Sequence, residues 1–68
     1  MTRGMRQIKT LLEMQLAAAG IPALVRVDNA NELTVIVGDS ATKLEFDRAD
    51  ELAVAAERDY GIKTVVAQ

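Results

Sequence analysis

Two segments of this chain run the same course: AAAGIPALV at 17–25 and RDYGIKTVV at 58–66 each pass from helix-forming residues through Gly-Ile into a β-prone run. Glycine enters the left-handed backbone region at little steric cost, so it closes a helix, and the apolar residue behind it turns back into the core. Each segment is therefore a point where a helix ends and a strand begins. A chain with two such points mixes helices and strands within one small core. The halves match nowhere else, so the recurrence is one of capping physics rather than of a repeated unit.

The helices that lead into these points can be read from periodicity. Residues 5–19 place Met5, Ile8, Leu11, Leu12, Leu16 and Ala19 at steps of three and four, with Arg6, Gln7, Lys9, Thr10 and Glu13 opposite. The second helix is expected over about 48–60, with Asp47 as its N-cap and an inner stripe of Ala49, Leu52, Ala53, Ala56 and Tyr60. Strands are expected at about 23–27, 33–37, 42–46 and 62–66. The resulting fold class is α+β, in the order α-β-β-β-α-β, as a single domain over 1–68. Its sheet is mostly antiparallel, with both helices on one face and the other face open. The last strand is expected to lie parallel to the third after crossing through the second helix.

Between the first two strands, VDNANEL gathers Asp28, Asn29, Asn31 and Glu32. Parity decides what this cluster is. For Val25 and Val27 to share a face with Leu33, Val35 and Val37, Val27 must pair with Leu33 and Val25 with Val35. A three-residue loop, Asn29-Ala30-Asn31, satisfies that condition, with Asn31 expected in the left-handed conformation such loops use. The segment lacks the central glycine and spaced oxygens of a calcium loop, so it reads as a turn. VGDSATK likewise reads as a hairpin turn, because its spacing matches no phosphate-binding loop. Asp47, Asp50 and Glu51 are sufficiently explained by a helix start, which favours negative charge.

Composition narrows the function. The chain has no Cys and no His, so the common ligands for zinc, haem and iron–sulfur clusters are missing, as are the commonest nucleophile and general base. The expectation is a non-enzymatic protein with no cofactor and no metal. The net charge of −2 is spread unevenly, with Arg3, Arg6, Lys9 and Arg26 facing only Glu13 in the first 27 residues. That excess is small for nonspecific duplex binding, which draws on many phosphate contacts. No run is long and apolar enough for a membrane span, and Glu13 and Gln15 interrupt the apolar region that a secretory signal would need. A cytoplasmic protein is expected.

The same parity sends Leu24, Arg26, Thr34, Ile36, Lys43, Glu45, Lys63 and Val65 to the face away from the helices. Leu24 and Ile36 lie opposite each other there, and Val65 joins them if the last strand runs beside the first. An apolar centre rimmed by charge has the composition of a contact surface. Leu24, Arg26, Ile36, Lys63 and Val65 are the expected partner-binding residues, and a homodimer is the commonest arrangement for such a surface. Two alternatives remain: a nucleic-acid-associated regulator using Arg3, Arg6 and Lys9 on the first helix, and a small-molecule sensor with a pocket between helices and sheet.

The order helix, three strands, helix resembles the double-stranded RNA-binding domain. That family grips phosphate with a run of lysines at the start of its second helix, where this chain reads DRADELA. The resemblance therefore extends to topology and implies no RNA contact here. Leu11-Leu12 followed by AAGIPALV looks like the helix-to-strand opening of several small prokaryotic signalling or ligand-binding domains. In general character, a short acidic Ala-rich chain is similar to accessory proteins of phages and bacteria that act by binding one host protein.

Overall fold

A computed structural model describes residues 4–68. The elements are α1 (Met5–Ala18), β1 (Ala23–Asn29), β2 (Glu32–Val37), α2 (Lys43–Tyr60) and β3 (Lys63–Ala67). The sheet order is β1-β2-β3, with β1 antiparallel and β3 parallel to β2. The fold is α+β, with three strands in place of the four expected.

The missing strand is 42–46, which forms the first turn of α2 instead. Thr42 is the N-cap: its Oγ1 accepts from the Glu45 N–H at 3.1 Å, while Glu45 Oε1 accepts from the Thr42 N–H at 2.8 Å. This reciprocal capping box satisfies two backbone donors at once, and it outweighs the polar-apolar alternation of Lys43, Leu44, Glu45 and Phe46 that imitates a strand. Asp47 consequently lies inside α2 on its exposed side, and Lys43 and Glu45 leave the sheet altogether.

Both glycine exits form as expected. Gly20 has φ 74° and Gly61 φ 67°. After α1, the Ile21 N–H reaches the Leu16 carbonyl and the Gly20 N–H the Ala17 carbonyl, each at 3.0 Å, which is the paired-bond helix end known as the Schellman motif. Ile21 and Ile62 are both buried directly behind their glycines. Each exit thus ends a helix and anchors the following strand in one step.

The hairpin register is the expected one: Val27 opposes Leu33, Val25 opposes Val35 and Leu24 opposes Ile36. Its construction differs. Asn29 pairs with Glu32, Ala30 and Asn31 form the turn, and the pairing shifts between Val27 and Asn29, so that Asp28 is the extra residue of a bulge. Two turn residues plus one bulged residue preserve the parity that a three-residue loop would have kept. Asn31 is not left-handed, since no non-glycine among the described residues has positive φ; its N–H is held by Asn29 Oδ1 at 2.9 Å.

The core lies between sheet and helices. Ile8, Leu12 and Leu16 of α1 and Ala49, Ala53 and Ala56 of α2 close over Val25, Leu33, Val35 and Val37. Alanine on the inner side of α2 leaves room for that helix to lie near the strands, and Leu52, Tyr60 and Val66 pack at its margins. Val27, expected in this layer, is 41% exposed at the end of the strand, next to the bulge.

Candidate interaction face

Among the described residues, none lies over the side of the sheet away from the helices. Register arranges its side chains in three rows across β1, β2 and β3. One row is Leu24, Ile36 and Ala67; the next is Arg26, Thr34 and Val65; the third joins bulged Asp28 to the paired Glu32 and Lys63. The face therefore changes along the strands from wholly apolar to wholly ionic. Leu24 is 69% exposed and Val65 38% exposed, both high for large aliphatic side chains in strands.

All five expected partner-binding residues thus lie on this face, with one change in arrangement. β3 runs beside β2, not beside β1, so Val65 opposes Thr34 and reaches Ile36 only diagonally.

The ionic side is internally neutralised. Arg26 Nε is 2.7 Å from Asp28 Oδ1, and Lys63 Nζ is 3.8 Å from Glu32 Oε2. The Thr34 hydroxyl donates to the second oxygen of Asp28. This hydroxyl, with Arg26 adding to it, holds the Asp28 carboxyl below the ordinary carboxylate range. Thr34 would otherwise be a polar side chain at the middle of the central strand, where it is only 7% exposed. Asp28, singled out from the sequence only as part of a turn, is thus the residue that organises the polar part of the face. The bulge puts it there.

Each sheet edge is covered at one position. Lys63 donates its N–H to the Asn31 carbonyl, so the next N–H along β3, that of Thr64, points outward; Glu57 Oε1 of α2 accepts it at 2.9 Å. On β1, the Gly38 N–H donates to the Pro22 carbonyl, which turns Leu24 and Arg26 toward β2 and sends the backbone groups of Val25 outward. Val25 is nevertheless 4% exposed as a whole residue, beneath the α1 side of the core. An incoming strand would meet these covered positions, Thr64 on β3 and Val25 on β1.

Of the residues of the nucleic-acid alternative, Arg6 and Lys9 lie one turn apart on α1. Lys9 is in an i, i+4 pair with Glu13 at 3.3 Å, Arg6 is exposed on α1, and Arg3 lies outside the described residues. The loop at 38–42 does lead into a helix start, contrary to the expected hairpin, but Thr42 and Glu45 occupy one another's N–H groups there. Among the described residues no group of His, Cys, Asp or Glu is placed to hold a metal ion, and no helix is long and apolar enough to cross a membrane. The middle of the layer between helices and sheet is filled by Leu12, Leu16, Leu33, Val35 and Val37, and a cleft of about 570 Å³ opens at its end, lined by Met5, Ile8, Asn31, Tyr60 and Ile62. No protein-family model, curated protein or solved structure matches this chain.

Proposed function

We propose that this chain is a non-enzymatic protein-interaction module that acts through the open face of its sheet. The observation that carries the reading is the row Leu24, Ile36, Ala67 with Val65 beside it, which groups apolar side chains on one open face where Met14, Leu44 and Val54 are exposed singly on the helices. The internal pairing of Arg26 with Asp28 and of Lys63 with Glu32 supports a protein partner over a polyanion, because cations already neutralised release few counterions on binding. The proposal extends to a cytoplasmic regulatory or accessory role of the kind found in phages and bacteria, and the absence of any cysteine for a disulfide framework supports that compartment.

The test compares tagged wild-type protein with Ile36→Asp after incubation in nuclease-treated host lysate. Circular dichroism first establishes that both are folded. The expected result is a protein retained by the wild type and lost by the variant, because the aspartate places a charge at the centre of the apolar row. Identical retention by both, or retained material that vanishes with nuclease, would refute the reading.

A further inference from the structure

Which partner suits this face follows from its pattern, granted that the face is the contact surface. Two copies packed face to face around a two-fold axis can place that axis across the strands or along them. An axis across the strands lays each apolar row on the ionic row of the other copy. An axis along them lays apolar row on apolar row, so that Ile36 meets Ile36, Leu24 meets Ala67, and Asp28 meets Lys63 of the other copy. This second arrangement matches polarity in the apolar row and charge in the ionic row, and it is the aligned packing that twisted sheets adopt.

We infer that the occupant of the open face is a second copy of this chain, packed with its strands aligned about a two-fold axis that runs along β2. Partial covering of the edges points the same way: Glu57 holds the Thr64 N–H of β3 and Val25 is covered on β1, so pairing at an edge would have to displace those groups while the face is open. Two contacts in this arrangement are unfavourable. Arg26 lies over Val65 of the other copy, its charge met only by Asp28 of its own chain. Glu32 on the central strand meets Glu32 of the other copy, each tempered by the Lys63 of its own chain.

Size sets the strength. Three strands spaced ~4.8 Å apart and about five residues long offer roughly 14 Å by 17 Å, or on the order of 250 Å² per copy before side-chain relief. Stable interfaces bury about 1,200 Å² or more in total, so this dimer is a weak, transient one.

Sedimentation equilibrium over a concentration series tests the inference, together with cysteine cross-linking in a chain that has no cysteine of its own. The wild type is expected to dimerise and Ile36→Asp to remain monomeric. Glu32→Gln is expected to tighten the dimer several-fold by removing the like-charge contact. Ile36→Cys, on the axis, should link to itself through a short bifunctional thiol reagent, since facing sheets stand ~10 Å apart and a direct disulfide cannot span them. Leu24→Cys should link far more slowly, because its two copies are offset by two further strand spacings, ~9.6 Å, within the face. A wild type that stays monomeric at millimolar concentration, or Leu24→Cys linking to itself as fast as Ile36→Cys, would overturn the inference. If the wild type is monomeric while Ile36→Asp still loses a captured protein, the face reading stands and only the second copy is excluded. If both dimerise equally and capture the same proteins, the face reading falls with it.

Discussion

Replacing Thr42 with Ala removes the acceptor that the Glu45 N–H uses at 3.1 Å while leaving the Glu45 carboxylate free to hold the Thr42 N–H. Loss of one N-cap side chain costs about 1 kcal/mol. For a chain of 68 residues, an unfolding entropy of ~2.1 cal/mol/K per residue sums to ~140 cal/mol/K, so that loss lowers Tm by about 7 °C. Asp47→Ala supplies the contrast. Asp47 is exposed within α2 and makes no capping bond there, so its replacement should change stability by less than ~0.5 kcal/mol, about 3 °C. Thermal unfolding followed by far-ultraviolet circular dichroism reads both variants side by side. If Asp47→Ala lowers Tm by several degrees and Thr42→Ala leaves it unchanged, α2 begins at Asp47, 42–46 is free to pair as a strand, and the derivation of the three-stranded sheet is wrong.

Other perturbations probe the rest of the molecule. Asp28 has a folded-state pKa below its unfolded one, so its stabilising effect is present above the ordinary carboxylate range and is lost as pH falls through the lowered value; Asp28→Asn should flatten that acid limb in pH-dependent urea unfolding. Leu33→Ala, at a fully buried site on the central strand, should cost about 3 kcal/mol in denaturant unfolding, a large share of the stability of so small a domain. Glu57→Ala should speed hydrogen exchange at the Thr64 amide while Glu57→Gln, which keeps the acceptor oxygen, changes it little; equal acceleration by both would place the effect elsewhere than in the hydrogen bond.

The parts of the fold legible in the sequence are those where one local rule acts without competition. Gly20-Ile21 and Gly61-Ile62 end their helices because left-handed backbone and apolar return coincide there. The hairpin register follows from parity alone, since a slip of one residue would turn Val25, Leu33 and Val35 outward. Where two rules competed, the reading failed. Lys43-Leu44-Glu45-Phe46 alternates like a strand, yet Thr42 and Glu45 stand at capping-box spacing; the box wins because it satisfies backbone donors, while Leu44 is left 81% exposed. Asn31 looked left-handed because a three-residue loop was assumed, whereas the bulge at Asp28 absorbs the odd residue. Alternation puts Leu24, Arg26, Thr34 and Ile36 on the candidate face and pairs them across the hairpin, but it also puts Lys43 and Glu45 there, leaves out Asp28, Glu32 and Ala67, and cannot join the last strand to the rows. Strand order depends on which neighbour β3 selects, and no local pattern in Lys63–Ala67 records that choice.

The placement of β3 beside β2 also sets an order of events during folding. β1 and β2 meet across a two-residue turn, so their pairing closes a short loop, while β3 can reach β2 only after the chain of α2 has been brought across the sheet. Contacts of Val65 and Val66 therefore form late and break early, and substitutions there should act mainly on the unfolding rate, whereas substitutions at Val25 or Val35 should slow folding. Because Val65 belongs to the open face, that face is complete only in the last-formed state, and a chain still assembling presents Leu24 and Ile36 without the strand that finishes the surface.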